Sequence, residues 1–160
     1  MSVKPLGYSL MQIRLHWIVA ALVILQLIFG EGIVESFDAR LEAGASGYGV
    51  QSVAHIAAGL AIGLLVLWRL SLRIGRGVPD EGAGALGLAA KAAHWAFYAI
   101  LLVAPVAGLV AWFGASETAG DLHGWVKPVL IVLIGLHVVA ALWHQFVLKD
   151  GALLRMKRPG

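Results

Sequence analysis

The chain has 160 residues, 60% hydrophobic and 13% charged, with a formal net charge of +3. That is too apolar for an ordinary soluble domain, and the length suits four membrane spans with short connections. The absence of cysteine excludes disulfides, cysteine-ligated iron–sulfur clusters and the covalent C-x-x-C-H attachment of haem, so any haem is held non-covalently, as b-type.

In chain order, four apolar stretches read as helices at about 12–33, 50–72, 88–113 and 124–148. Each meets the roughly 20 residues needed to cross about 30 Å of hydrocarbon. The first, LHWIVAALVILQLIFG, is too long for a signal-peptide core and carries His16 and Gln26, so it is kept as a mature helix. The second opens near His55. A Gly-rich stretch, IGRGVPDEGAGALG, follows as a loop. The third holds His94 and, further on, Pro105, which is expected to kink it. The fourth holds His137 and His144, with His123 at its start. The expected fold class is all-α, an integral-membrane four-helix bundle.

Lys and Arg set the orientation. Lys4, Arg14, Arg69, Arg73, Arg76, Lys91, Lys149, Arg155, Lys157 and Arg158 fall at the two termini and the second-to-third connection; the other connections hold only Arg40 and Lys127 among six acidic residues. The positive-inside rule then puts both termini in the cytoplasm. The six tryptophans, all near span ends, suit an interfacial aromatic belt. The net charge therefore reports topology. No basic face with interleaved aromatics points to nucleic acid.

Histidines inside a bilayer are costly and mark function. His123 and His137 stand fourteen residues apart, which on a helix is roughly 21 Å and nearly four whole turns. One helix with two such residues on one face suits two haems at two depths. Depth sorts the rest: His16 with His137 in the inner half, His55 with His123 in the outer half, each a bis-imidazole iron site. His144, seven residues from His137, would crowd two macrocycles into roughly 10–11 Å of helix, so it is not expected to ligate iron.

Supporting residues carry two readings each. Gly59 and Gly63 lie on the side of the helix that bears His55, where small residues admit either a flat macrocycle or a neighbouring helix. Arg69, fourteen residues after His55, is either a partner for an inner haem propionate or a positive-inside flank. His94 and Lys91 are either a partly wet helix end with a snorkelling lysine or, with His144, an inner cluster that relays protons to a quinone.

At this point the chain resembles the bacterial cytochrome b561 proteins, within the larger group that includes the cytochrome b subunits of Ni–Fe hydrogenases and formate dehydrogenases. The likeness runs nearly end to end: LHW at 15–17, AHI at 54–56, AHWAFY…APVAGL over 93–109, LHGW…GLH over 122–137, and the tail KDGALLRM at 149–156. The tail is similar to the small stand-alone members. The resemblance implies two b haems on the matching histidines, and electron transfer between a membrane quinone such as ubiquinone and a second redox partner, as an oxidoreductase or as an electron carrier only. It also implies that superoxide, oxidised on the outer side, is one such partner. The acidic outer connections would repel that anion, leaving Lys127 and Arg40 as attractors; Lys127 is favoured because it follows His123 by four residues, its other reading being an interface anchor. A subunit of a larger hydrogenase- or dehydrogenase-type complex is the alternative. A transporter or channel gives no reason for histidines matched by depth, and zinc wants its ligands in one cluster.

Overall fold

The computed structural model describes residues 5–43 and 48–160. Lys4, part of the charge asymmetry above, lies outside them. The described residues are helical, with no strand among them. In order they form α1 (Leu10–Phe29), a short 3-10 turn (Gly30–Ile33), α2 (Val34–Ala43), α3 (Val50–Gly75), α4 (Gly84–Gly114), α5 (Glu117–Trp143), a π-helical turn (His144–Leu148) and α6 (Ala152–Arg155).

Four helical segments are long and apolar enough to cross a membrane: Leu10–Glu42, Val50–Gly75, Gly84–Gly114 and Glu117–Leu148. They outrun the apolar stretches read from sequence, the first by running on through the 3-10 turn into α2, and α1 and α5 open on polar caps. Ser9 opens α1 with a capping box: its hydroxyl accepts from the Gln12 N–H at 3.2 Å, and the Gln12 side chain accepts from the Ser9 N–H at 2.9 Å. Ser116 caps α5 by accepting from Ala119. His123 is therefore two turns inside α5, and the α4–α5 corner turns at Ala115, which takes the left-handed conformation at φ 46°. Helix α4 continues through Pro105, whose ring packs where a Cβ on Gly63 would lie 3.5 Å away.

The segment before α1 meets the C-terminal residue at one end of the bundle. The Gly160 N–H donates to the Tyr8 carbonyl at 3.2 Å, and Arg76 donates to the carbonyls of Gly7 and Gly160 and to the Gln12 side chain, each at 3.0 Å. The Trp17 indole donates to the Met156 carbonyl at 2.9 Å. We call this end inner and the opposite end, which carries α2, outer.

The buried core is thin. Val19 and Val23 of α1, Ile62 and Val66 of α3 and Leu130 of α5 form it, with Phe97, Tyr98 and Leu101 of α4 packed against them. Large apolar side chains face outward instead, such as Ile28, Leu64, Val106 and Val139. An outward apolar surface around helices with internally satisfied backbones is what a lipid solvent demands. Five tryptophans are exposed, as an interfacial belt requires, but Trp112 is 2% exposed and so is not part of that belt.

Candidate functional site

The histidines gather at two levels. At the outer end, His55 of α3 faces His123 of α5 with ring centroids 5.8 Å apart and planes at 77°. At the inner end, His16 of α1 faces His137 of α5 at 6.3 Å and 53°. Leu130, 5% exposed, sits seven residues from each α5 histidine, so the apolar core lies between the levels.

The outer level is shaped around its imidazoles. His123 Nδ1 lies 2.9 Å from the Ala104 carbonyl. A carbonyl only accepts, so Nδ1 carries the proton and Nε2 presents a lone pair. Second-shell fixing of this kind is what a metal-ligating histidine uses. A Cβ on Gly108 would come within 3.1 Å of the His123 ring, and one on Gly30 within 3.4 Å of the His55 ring. The Gln26 amide donates to the His55 carbonyl at 3.0 Å, holding α1 to α3. His55 Nδ1 is buried and meets no partner among the described residues. A cavity of about 740 Å³ opens beside both rings. Gly59, Leu101 and Trp112 share its wall with Glu31, Asp38, Glu117, Asp121 and Lys127.

At each level two imidazoles face one another and would be the residues to hold a haem iron. With the fixed tautomer of His123, the orphaned His55 nitrogen and the glycines against the rings, the residues present fit a b-type haem. Among the described residues, no group of three or more His, Asp or Glu side chains is placed to hold a single metal ion.

His137 has a second imidazole neighbour, His94, at 5.8 Å and 66°, and the edge of Phe97 at 5.4 Å. His94 Nδ1 lies 2.6 Å from Glu81 Oε1, and Arg73 donates to both Glu81 oxygens at 3.1 Å. Arg73 also lies over the rings of Trp95 and Tyr98. Burial pushes the Glu81 carboxyl up, but the hydrogen bonds and charges of His94 and Arg73 outweigh it and hold the carboxyl below the usual range.

The remaining candidates separate. His144 opens the π-helical turn and bonds through Nδ1 to Asp150 at 2.5 Å; that bond holds the Asp150 carboxyl below its ordinary range. The structure thus makes two imidazole–carboxylate pairs, His94–Glu81 and His144–Asp150. Lys91 is exposed and belongs to neither. Arg69 donates to the Gln12 carbonyl at 3.4 Å. Lys127 forms an ion pair with Glu31 at the cavity mouth. Gly59 borders the cavity, where a Cβ would meet only Gln26 at 3.8 Å, whereas Gly63 serves packing against Pro105.

Sequence reasoning missed Gly30, Gly108, Gln26, Arg73 and Glu81 as parts of these sites. Gln26 carried a signal, being a polar residue deep in an apolar run. Glu81 lies thirteen residues before His94, across a loop, a spacing with no periodic meaning.

Comparison with known proteins places the chain in a family. The chain is 37% identical over 159 residues to a cytochrome b562 of Cereibacter sphaeroides, covering 99% of each. It is 31% identical over 174 residues to a Yersinia pestis protein named probable superoxide oxidase CybB, covering 93% of this chain and 94% of that one. A cytochrome b561 homolog 2 of Escherichia coli is 30% identical over 60% of this chain and 66% of its own length. The family profile described as prokaryotic cytochrome b561 matches residues 7–159. With a profile match over nearly its whole length and four apolar helices, this multi-pass bacterial membrane protein belongs to the prokaryotic cytochrome b561 family.

Proposed function

We propose that the protein carries electrons across the bacterial inner membrane between a membrane quinone and a redox partner on the outer side, using two b haems. The observation that carries this reading is the pair of facing imidazole couples at two depths, with Leu130 midway between them. His55 and His123 would hold the outer haem, and His16 and His137 the inner one. Bound there, haem b supplies one-electron iron chemistry, tuned by its axial ligands and surroundings.

The chain's own part is to position and insulate. Ala104 fixes the tautomer of His123, and Gly30 and Gly108 let the two outer rings sit against backbone. The valines, Ile62 and Leu130 exclude water between the levels. Both termini lie on the cytoplasmic side in this reading, which the basic residues of the inner end support. Reduction of a quinone consumes protons, and the inner imidazole–carboxylate pairs hold protons at His94 Nδ1 and His144 Nδ1, against Glu81 and Asp150. Superoxide as the outer partner is supported by the name of the Yersinia pestis relative, and ubiquinone by the family resemblance.

The test is pyridine haemochrome quantification of the purified protein, followed by redox-poised spectra with a quinol and with superoxide as donors. Two haems per chain, both reducible, are expected. One haem per chain would break the two-level reading, and reduction by neither donor would remove the proposed partners.

A further inference from the structure

The fourth spanning segment ends at Leu148, and the chain then reverses within three residues. Lys149 takes the left-handed conformation at φ 52°, and Gly151 follows at φ 75°. Glycine adopts that conformation more cheaply than any residue with a Cβ, yet a lysine stands at the first of the two positions. The reversal is pinned on both sides. Asp150 has both carboxylate oxygens in use: Oδ2 lies 2.5 Å from His144 Nδ1, and Oδ1 accepts from the Ala152 N–H at 2.9 Å. Further along, the Met156 carbonyl accepts from the indole of Trp17, an exposed tryptophan near the inner end of α1. Tryptophans of this kind sit where headgroups meet hydrocarbon, so the tail is held at that depth.

Between the π-helical turn and the folded-back tail lies a cleft of about 610 Å³, at the opposite end of the bundle from the outer cavity. Its wall has two parts. Phe146, Leu153 and Leu154 are apolar, and Phe146 is 68% exposed at the very end of a span. Lys149 and Lys157 are basic, and neither has an acidic partner among the described residues. Asp150 is the one acid between Lys149 and the C-terminus, and its oxygens are committed as above. No acidic residue lines the cleft among the described residues. Two uncompensated ammonium groups beside apolar surface, at headgroup depth, complement a molecule with a phosphate at one end and acyl chains at the other. Basic clefts at the cytoplasmic ends of spanning helices take anionic headgroups, and lysine binds phosphate as a point charge.

We infer that this cleft binds one anionic phospholipid of the inner leaflet, its phosphate held by Lys149 and Lys157 and its acyl chains laid along Phe146, Leu153 and Leu154. The inference uses the spans and their ends. It does not use the haems, and a chain with fewer than two haems would leave it standing.

The experiment uses the full-length holoprotein, delipidated in detergent and read by native mass spectrometry. The probes are phosphatidylglycerol, phosphatidylcholine with the same chains, glycerol 3-phosphate and ubiquinone-1. Wild type should retain one phosphatidylglycerol through detergent washing and release phosphatidylcholine. Lys149→Gln/Lys157→Gln should bind phosphatidylglycerol about thirty-fold more weakly, which is about 1 kcal/mol for each lysine. Arg14→Gln/Arg158→Gln removes the same charge from exposed inner positions outside the cleft and should leave binding within about three-fold. Equal weakening in the two double variants overturns the inference, because attraction would then belong to the whole basic surface. Equal retention of the two lipids in wild type overturns it as well, leaving an apolar groove alone. Displacement of phosphatidylglycerol by equimolar glycerol 3-phosphate would make the cleft an anion site without lipid, and displacement by ubiquinone-1 would make it a quinone site; either overturns it. The wild-type comparison of lipids stands even if a variant fails to fold, which its haem content checks.

Discussion

His123 donates its Nδ1–H to the carbonyl of Ala104 at 2.9 Å, tying α5 to α4 one residue before Pro105. The contact is possible because Gly108, one turn further along α4, has no side chain in the way. A Cβ there would lie 3.1–3.2 Å from two atoms of the His123 ring. Gly108→Ala should therefore move the imidazole while improving helix propensity by about 0.5–1 kcal/mol. We expect the variant to fold, with the outer haem lost or weakened and the inner one retained. Gly135→Ala is the control, since a Cβ on this exposed glycine meets nothing within 4 Å, and it should keep both haems. Haem counts and low-spin electron paramagnetic resonance signals of the two variants make the comparison. Equal spectra would remove Gly108 from the site.

At the inner level, His137 has two imidazole neighbours, His16 and His94. A carboxylate holds His94 Nδ1, as another holds His144 Nδ1, and such a bond leaves Nε2 able to ligate, so the choice of His16 rests on the family resemblance, whose matching histidines lie on the first, second and fourth spans. His16→Ala and His137→Ala should each lose the inner low-spin signal. His94→Ala and His144→Ala should each keep two bis-histidine signals, with any change confined to quinone kinetics. Loss of a signal in His94→Ala alone would exchange His94 for His16 as the ligand.

What the sequence made legible follows from the range of each interaction. Helix periodicity and span length are local, so the four helices and the fourteen-residue step from His123 to His137 could be read directly. Depth then paired histidines on different helices, because a membrane orders residues along one axis. Rotation about that axis has no such guide. Whether Trp112 faced lipid or the bundle was not readable, and its position near a span end suggested a belt residue. Gly108 sat within a family motif without visible purpose until His123 was placed against it. The inner loop that carries Glu81 gave no pattern at all, since its pairing with His94 depends on where the loop folds back over α4.

Glu81 gives a pH prediction. Its side chain is 8% exposed and bridges Arg73 and His94. The folded carboxyl is held below its ordinary value of about 4.3, despite burial. A depressed carboxyl contributes stability that is fully present above the unfolded value and is lost as pH falls through the folded one. Thermal stability of the wild type should thus fall below about pH 4–5. Glu81→Gln should lower the melting temperature at pH 7, by a loss of about 1–3 kcal/mol, and flatten the acid limb. An acid limb of unchanged steepness in the variant would mean that other carboxylates govern it.

Lys127 and Glu31 form an ion pair at the mouth of the outer cavity, with side chains 40% and 77% exposed. The pair changes how the approach of superoxide should respond to charge. Lys127 is the one basic residue in the cavity wall, but Glu31 offsets it, and Asp38, Glu117 and Asp121 line the same cavity. An anion therefore meets a repulsive mouth in the wild type. Glu31→Gln removes one negative charge and frees the lysine, so it should accelerate haem reduction by superoxide. Lys127→Glu should slow it. Because the pair is exposed, the effects belong at the low end of electrostatic steering, roughly two- to ten-fold at low ionic strength, and they should collapse toward unity near 1 M salt, where the screening length is about 3 Å. Pulse radiolysis on the three proteins at two salt concentrations measures this. Rates that differ equally at both salts would point to a structural change, and a wild type that superoxide does not reduce would leave a cation or a neutral quinol as the species suited to this acidic mouth.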